Sequence, residues 1–285
     1  MKKICALLLV AVCFLFSGCT SKSVFKNEIS EDVVPTVIAV SKKLNPGKYS
    51  ELPNKKYGWG LKKNKNAPPD IPSYITDVLD KYGAIYKDCE PRSLYLTFDE
   101  GYENGYTAKI LDVLKKTEVP AAFFVTGPYI KNEPELIKRM VSEGHIVGNH
   151  TINHPSMPNV SDIEKLKNEI VGLSESFTEL TGEKMSFFRP PMGEYSERTL
   201  SLTQDLGLTS VFWSFAYKDW DVKNQKGEDF AYKQITEGVH DGAILLLHAV
   251  SEDNANVLER VIKDLKQKGY RFKSLEDFGN RVNNN

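Results

Sequence analysis

Cysteine, net charge and long apolar segments are all scarce in this chain of 285 residues. Of the four cysteines, only Cys19 and Cys89 lie outside an N-terminal segment that resembles a signal peptide. A disulfide framework is therefore excluded, and a domain of this size must fold on its own apolar core. The formal net charge of −1 gives no argument for a nucleic-acid partner. The apolar run from Ile4 to Phe16 is too short for a comfortable transmembrane helix.

The N-terminal segment has the layout of a secretory signal. Lys2 and Lys3 precede the apolar run, which ends in Phe16-Ser17-Gly18-Cys19 and resembles a bacterial lipobox. We expect residues 1–18 to be a lipoprotein signal peptide and Cys19 to carry the lipid that holds an exported protein at a membrane. Ordinary signal cleavage, with Cys19 incidental, is the alternative.

Composition divides the remaining chain into three parts. Residues 19–91 begin as a polar stretch with weak periodicity, which predicts a tether and N-terminal extension. Within it, lysines between 55 and 65 flank the cluster 57–60; this pattern is typical of a solvated linker face, and attraction of anionic wall polymers is the alternative. Residues 92–278 are predicted to form the main domain, and 279–285 a C-terminal tail.

From Ser93 onward, apolar runs of strand length alternate with helical patterns. The longest helical pattern spans 161–181, with Ser161 expected as N-cap and Glu164 in the capping-box position. The predicted strands are 93–98, 121–125, 145–148, 186–189, 209–213, 243–247 and 271–274.

Seven strands that alternate with helices predict an α/β fold with a parallel sheet. Closure into a (β/α) barrel would leave no exposed strand edges, and an open doubly wound sheet is the alternative. In either architecture, functional side chains collect where the strands end and run into helices. Polar residues at the strand ends are therefore the candidate functional residues.

The first predicted strand stops at two consecutive carboxylates, Asp99 and Glu100, followed by Gly101. In a regular strand these two side chains would face opposite sides. Both can reach one site only if the strand has ended and Gly101 lets the backbone bend. The pattern favours a single polar centre, with an acidic helix cap as the alternative.

Two histidines follow the third strand. His150 and His154 are spaced i, i+4, which would place both imidazoles on one helical face within reach of one metal ion. Together with a carboxylate they would leave one coordination position open, as catalytic zinc sites do. The alternative is a capped loop with one buried histidine.

Further polar residues end the fourth, fifth and sixth strands. Arg189, held before two prolines, is suited to keep a carboxylate ionised, although a purely structural salt bridge would need the same geometry. Asp219 is placed to orient a histidine, and Trp220 either walls a pocket or packs in the core. His248 ends an apolar run, where a lone histidine is usually a satisfied core residue.

These residues lie in ordered motifs that resemble those of the NodB-type polysaccharide deacetylases, carbohydrate esterase family 4, over about Ser93 to Phe278. Within this family the chain is most similar to the delta-lactam-biosynthetic de-N-acetylases of spore peptidoglycan, because of 103–106, 224–227 and 250–255. The five motifs are Thr97-Phe98-Asp99-Glu100-Gly101, His150-Thr151-Ile152-Asn153-His154, Arg189-Pro190-Pro191-Met192-Gly193, Asp219-Trp220 and Leu246-Leu247-His248.

The resemblance implies a distorted (β/α) barrel that hydrolyses the N-acetyl group of a sugar with a divalent metal, zinc first among the candidates. The chain departs from the family at Glu100, where the family has a second aspartate, and at Met192, where an aromatic residue is usual. The roles that it implies are general base for Asp99, tether of that base for Arg189, general acid for His248, tuning of this acid for Asp219, metal ligation for Glu100, His150 and His154, and substrate contact for Tyr102, Met192, Trp220 and Leu246.

The expected substrate is peptidoglycan, with N-acetylmuramic acid as the target and a muramic delta-lactam of spore cortex as the eventual product. Deacetylation of N-acetylglucosamine units, in peptidoglycan or chitooligosaccharides, is the second enzymatic hypothesis. A glycan-binding lipoprotein with little catalytic activity is the alternative from another class. Glycoside hydrolysis is ranked last, because adjacent Asp99 and Glu100 do not offer two carboxylates that face each other across a glycosidic bond.

Overall fold

A computed structural model describes residues 46–62 and 64–282 of the chain. The expected signal peptide and Cys19 lie outside these residues, and no described helix is both long and apolar enough to cross a bilayer. The strands are β1 (Tyr57–Gly58), β2 (Ser93–Glu100), β3 (Ala121–Val125), β4 (Ile146–Asn149), β5 (Phe187–Phe188), β6 (Glu194–Tyr195), β7 (Thr209–Ser210), β8 (Phe215–Ala216), β9 (Ala243–His248) and β10 (Arg271–Phe272).

Helices fill most of the segments between the strands, and two short 3₁₀ turns cover Met157–Asn159 and Pro191–Gly193. The α-helices are α1 (Pro46–Glu51), α2 (Ser73–Lys81), α3 (Thr107–Thr117), α4 (Gly127–Asn132), α5 (Pro134–Ser142), α6 (Ile163–Thr181), α7 (Glu197–Asp205), α8 (Glu228–Gly238), α9 (Glu252–Gln267) and α10 (Leu275–Val282).

Seven of the strands form one parallel sheet in the order β7-β5-β4-β3-β2-β9-β8, and β10 pairs with the start of β2. The predicted α/β class with about seven parallel strands is confirmed. The sheet is a half-barrel: β7 and β8 lie at its two edges, and no pairing between them is present in the described part of the chain. The expected distorted (β/α) barrel of about seven strands is therefore confirmed, in the form of a half-barrel whose described edge strands do not pair.

Strand β2 is buried along its whole length, and its side chains alternate between two sides. Leu94, Leu96 and Phe98 belong to the large apolar core shared with the helices. Tyr95 belongs to a smaller cluster on the inner side of the sheet. Because the side-chain period of a strand is two, the inner side next receives Thr97 and then Asp99, whereas the helix side receives Glu100.

The N-terminal extension is folded onto the rest of the protein. Residues 46–91, which the sequence analysis divided from the main domain, belong to the same compact unit as the chain that follows. Strand β1 pairs antiparallel with β6, and the indole of Trp59 donates a hydrogen bond to the carbonyl oxygen of Trp213 at 2.8 Å. The extension is therefore packed against the main domain from Pro46 onward, and most of the expected tether lies outside the described residues.

The longest helix begins one residue later than expected. The N-cap of α6 is Asp162, whose carboxylate accepts hydrogen bonds from the backbone N–H groups of Glu164 and Lys165. The predicted cap at Ser161 is wrong because the side chain that reaches these donors is the carboxylate of the next residue, Asp162. The helix ends, as expected, at Gly182, which adopts φ 77°.

Candidate functional site

The predicted site residues converge on one cavity at the carboxyl ends of the parallel strands. This cavity has a volume of about 710 Å³. In the ladder between β2 and β9, Asp99 lies directly beside His248, so a carboxylate and an imidazole stand on neighbouring strands at the same edge. The predicted residues that line the cavity are Asp99, Tyr102, His150, His154, Met192, Trp220, Leu246 and His248.

Asp99 and Arg189 form the buried ion pair of the site. Arg189 is fully buried, and its Nη1 donates to Oδ1 of Asp99 at 2.7 Å. Burial acts to raise the pKa of Asp99, but the charges of Arg189, His150 and His248, with the hydrogen bond from Arg189, together outweigh burial and hold this pKa below its usual range. Asp99 is therefore ionised at neutral pH and fixed in one orientation, which is the effect that Arg189 was expected to have on a neighbouring carboxylate.

The two histidines meet, although not on a helix. His150 and His154 lie in a loop after β4, and their ring centroids are 4.8 Å apart. Thr151 and His154 adopt positive φ values of 70° and 54°, so the chain folds back where the sequence predicted one helical turn. The two imidazoles are therefore close together, as the i, i+4 spacing predicted, but the predicted helical turn is wrong.

Burial keeps His150 neutral. Its pKa is lowered to about 4, and that of His154 is also lowered, in both cases chiefly by burial. The Nδ1–H of His150 donates to the carbonyl oxygen of Arg189 at 2.8 Å, since a carbonyl can only accept. Nε2 therefore carries the free lone pair, 3.5 Å from Oδ2 of Asp99.

Glu100 does not join the histidines. Strand β2 runs through Glu100 and the chain bends only afterwards, at Gly101, so Asp99 and Glu100 face opposite sides. The Glu100 side chain is fully buried on the helix side, where the hydroxyl of Thr107 donates to it at 3.4 Å. Burial, followed by the charge of Glu103, raises the pKa of Glu100 well above its usual value, which favours the neutral acid.

The metal set implied by the resemblance was Glu100, His150 and His154, and it does not assemble. The carboxylate is on the wrong side of β2, and the described residues contain no group of three or more histidine, cysteine, aspartate or glutamate side chains arranged to hold a metal ion. The predicted role of Glu100 as a metal ligand therefore does not fit this chain.

His248 is held by Asp219. Its Nδ1 donates to Oδ1 of Asp219 at 2.7 Å, and its backbone N–H donates to Oδ2 at 2.8 Å. Burial lowers the pKa of His248, but the charge and hydrogen bond of Asp219 outweigh it and raise this pKa above its ordinary value. His248 thus lies at the cavity with its protonated form favoured by Asp219, and it is not a satisfied core histidine.

Apolar side chains form the walls of the cavity. Tyr102, Met192 and Trp220 are each about half exposed at the rim, whereas Leu246 is buried at its base. Trp213 also lines the cavity and was missed, because it follows a short strand with no polar motif to draw attention to it. Half-exposed aromatic and thioether groups around a buried polar centre suit a ring-shaped, partly apolar ligand.

Sequence reasoning also missed the groups behind Asp219. The Asn254 amide donates to Oδ2 of Asp219 at 2.6 Å, and Gln225 Nε2 donates to the carbonyl oxygen of Asp219 at 3.0 Å. Both residues lie in stretches that were noted only for their similarity to one subgroup, 224–227 and 250–255. Ser251 caps α9 by accepting from the backbone N–H of Asn254, and no signal in the sequence pointed to the contact of Asn254 with Asp219.

A parallel half-barrel with a carboxylate and an imidazole side by side at its strand ends is an arrangement suited to hydrolysis by acid–base catalysis. The pattern of the polysaccharide deacetylase family matches residues 86–211. A Geobacillus stearothermophilus protein described as an uncharacterized 30.6 kDa protein is 54% identical over 222 residues, 77% of this chain and 83% of that protein.

A second relative has a described activity. The peptidoglycan-N-acetylmuramic acid deacetylase PdaA of Bacillus subtilis is 45% identical over 229 residues, 79% of this chain and 87% of PdaA. The solved structure of Bacillus subtilis PdaA, a family 4 carbohydrate esterase, superposes with a TM-score of 0.77 and covers 79% of this chain and 97% of that one. This chain belongs to the polysaccharide deacetylases, carbohydrate esterase family 4.

Family membership confirms the resemblance drawn from the five motifs. Deacetylases of this family are generally metal-dependent. In this chain two neutral imidazoles, His150 and His154, have the protonation state that metal ligation requires, but Glu100 does not join them. Glu100 is therefore where this chain's geometry departs from the expectation that the family created.

Proposed function

We propose that this protein hydrolyses the N-acetyl group of amino sugars in peptidoglycan, with N-acetylmuramic acid as its target. The observation that carries the proposal is the pairing of Asp99 with His248 on adjacent strands of one cavity, where Arg189 favours the ionised form of Asp99 and Asp219 favours the protonated form of His248. The activity named for Bacillus subtilis PdaA, which covers most of this chain, supports the choice of sugar.

The two groups supply what amide hydrolysis needs. An amide is a poor electrophile with a poor leaving group, so water must lose a proton as it attacks and the departing amine must gain one. Asp99 accepts the proton of the attacking water, and Arg189 keeps Asp99 ionised for this step. His248 donates its proton to the sugar nitrogen as the carbon–nitrogen bond breaks, so acetate and a free amine are released.

The same geometry predicts a bell-shaped dependence of the reaction on pH. Asp99 must be ionised and His248 protonated at once. The pKa of Asp99 lies below its usual range and that of His248 above its usual range, so the two shifts widen the active window on both sides.

The remaining parts of the proposal concern setting and product. A muramic acid freed of its acetyl group carries an amine near its own lactyl carboxylate, and closure of these two groups would give the delta-lactam expected for spore cortex. Export and lipidation at Cys19 would hold the enzyme beside the glycan strands in the cell envelope or at the forespore membrane. Zinc is the first metal to test at His150 and His154.

The test is acetate release from peptidoglycan by the exported part of the chain, residues 20–285. Peptide-stripped and intact glycan are compared, with and without added zinc. Asp99→Asn and His248→Ala should each lower the rate more than about 100-fold, because each removes one proton transfer. Asp77→Asn, on the exposed side of α2, makes the same chemical change outside the cavity and should have no effect.

Mass spectrometry of the digested product then identifies the sugar. Loss of acetyl groups from muramic acid residues is expected. Loss of acetyl groups from glucosamine residues alone would change the proposed target to N-acetylglucosamine and would leave the proposed reaction unchanged. Tight binding of glycan with no acetate release at any metal concentration would overturn the proposed activity and favour a glycan-binding lipoprotein.

A further inference from the structure

Asp219 has more partners than the histidine it is expected to tune. Its Oδ1 accepts from Nδ1 of His248, and its Oδ2 accepts from both the backbone N–H of His248 and the side chain of Asn254. The bond from Asn254 is short, at 2.6 Å, and both side chains are about 98% or more buried. Three donors therefore share the charge of one buried carboxylate.

The amide of Asn254 is held in one orientation. The hydroxyl of Tyr217 donates to Oδ1 of Asn254, which leaves Nδ2 to face Asp219. If the amide were flipped, its oxygen would face the carboxylate and the two acceptors would repel each other. Because the carboxylate of Asp219 can only accept, Asn254 acts as a donor toward it, and the hydroxyl of Tyr217 binds the amide oxygen in this orientation.

A second amide ties the backbone of this region together. Gln225 Nε2 donates to the carbonyl oxygens of Asp219 and Asp221, each at 3.0 Å, and its Oε1 accepts from the hydroxyl of Ser251 at 2.7 Å. Ser251 in turn caps α9, the helix whose first turn carries Asn254. The stretches 224–227 and 250–255 are thus interlocked around Asp219.

We propose that Asn254 is a positioning residue for the proposed reaction: its amide fixes Asp219 and limits the charge that Asp219 presents to His248, and Tyr217 keeps the amide in the required orientation. A hydrogen bond to an ionised carboxylate stabilises the charged form. Without it, Asp219 would stabilise the imidazolium of His248 more strongly. His248 would then be a weaker acid toward the departing amine.

The acidity of His248 depends on charges from several elements of the fold. Asp219 and Asp99 favour its protonated form, and Arg189 opposes it. His154, in the loop after β4, also interacts with it. Because none of these groups is altered in an Asn254 variant, a change in the acidity of His248 would report on Asp219.

The first test measures the pKa of His248 directly, by NMR titration of the histidine side chains in wild type and Asn254→Leu. The signal of His248 is identified by its absence in His248→Gln. The pKa in Asn254→Leu should be higher by roughly half a unit or more. An unchanged or lower value would overturn the proposal. This arm needs no substrate, so it is decided even if the wild type releases no acetate and the proposed function fails.

The second test uses acetate release and rests on the proposed function. Asn254→Leu should lower kcat about three- to tenfold and leave KM within about twofold, because substrate contacts are unchanged while the acid is weaker. Equal losses in kcat and in affinity, with no shift of the His248 pKa, would show a merely structural role and overturn the proposal.

Two further variants keep the test decisive. Tyr217→Phe removes one oxygen from the same hydrogen-bonded chain, and if Asn254→Leu does not fold it is measured in its place. It should raise the pKa of His248 in the same direction by a smaller amount; no change would contradict the role given to Tyr217. Asn256→Leu, two residues further along α9 with surface partners Lys109 and Glu228, is the matched control and should behave as wild type.

Discussion

Asp99 and Glu100 are neighbours in the chain and opposite in character. Asp99 faces Arg189 and is held ionised, whereas Glu100 faces the helix layer and is favoured as the neutral acid. The pleat of β2 separates them, because consecutive side chains of a strand point to opposite sides. A pair of carboxylates that looks like one site in the sequence is thus one reactive group and one buried acid.

Arg189 should be replaceable by lysine only at a large cost in rate. The guanidinium donates to Asp99 and to the carbonyl oxygen of Val211, and it lies 4.1 Å from the ring centre of Phe124. A lysine offers a point charge without this planar fork. Arg189→Lys should lower kcat/KM about tenfold or more and move the acid limb of its pH profile to higher pH.

The matched control for this change is Arg198→Lys. Arg198 is also buried and donates to the backbone carbonyl groups of Pro158, Val160 and Ser161, away from the cavity. It should cost stability without moving the pH profile. An acid limb that stays in place in Arg189→Lys would refute the view that Arg189 sets the ionisation of Asp99.

Glu100→Gln tests whether Glu100 contributes to metal binding. Glutamine has the size of the neutral acid and keeps an acceptor for Thr107, but it cannot replace a carboxylate ligand. Because Glu100 lies behind β2, acetate release should stay within about twofold of wild type, and its response to added zinc after chelation should be unchanged. A rightward shift of the zinc response would contradict the placement of Glu100; His154→Gln, inside the cavity, is the comparison.

At the scale of elements, β1 supports one wall of the cavity. The backbone N–H of Trp59 donates to the carbonyl oxygen of Gly193 at 2.9 Å. Gly193 has φ +64°, and a Cβ there would lie 2.8 Å from the ring of Trp213 and 3.0 Å from Trp59. The preceding residue, Met192, has φ 58° and is half exposed at the rim. The extension therefore holds this strained corner against the cavity.

Trp59→Phe should loosen that wall while preserving most of the apolar packing. The variant loses the indole hydrogen bond to Trp213, which is expected to cost about 1 kcal/mol of unfolding free energy. KM should rise severalfold with kcat little changed, because the catalytic groups are not touched. Chemical denaturation and steady-state kinetics measure the two effects.

A variant in the same small apolar cluster separates an effect on the cavity wall from a general loss of stability. Tyr82→Phe removes the hydroxyl that donates to Glu197 at 2.9 Å, on the side of the cluster away from the cavity. It should lower stability by a similar amount and leave KM unchanged. Equal changes of KM in both variants would show that the effect of Trp59 is only a general loss of stability.

The long elements were predictable from the sequence because their signals are strong. Strand β3 has the predicted limits, and β2, β4 and β9 differ by one or two residues, since unbroken apolar runs mark strands buried on both sides. Strands β1, β6 and β8 are two residues long and were missed, because no periodicity can be read from two positions. The predicted strand 209–213 is correspondingly only β7, with β8 following it.

The site was predictable where a polar residue ends a strand, as at Asp99, Arg189 and His248. It was not predictable where the outcome depended on how the backbone left the strand. Glu100 required knowing that β2 continues, and the meeting of His150 with His154 required a loop with two positive φ values. Asn254 required a contact between a helix and a loop 35 residues apart in sequence.

At the scale of the whole molecule, buried titratable groups act on stability in opposite directions. Of the five histidines, four have lowered pKa values because of burial: His145, His150, His154 and His240. These histidines bind protons more weakly in the folded state than in the unfolded state, so they destabilise the fold as pH falls below about 6.5. Glu100 and His248 have raised pKa values, and each contributes stability that is lost as pH rises.

Removal of one group from each set should tilt the dependence of Tm on pH in opposite directions. With its pKa lowered to about 4, His150 costs about 2 kcal/mol of unfolding free energy at pH 5 relative to pH 7. His150→Gln should therefore lose less Tm than wild type between pH 7 and pH 5, by about 5 °C. Glu100→Gln should lose more Tm than wild type over the same pH range, because wild-type Glu100 is protonated in the folded state and stabilises the fold at low pH. Thermal unfolding in chelator at both pH values measures the tilt, and Glu175→Gln, exposed on α6, should follow wild type. Parallel curves for all four proteins would show that neither burial effect operates.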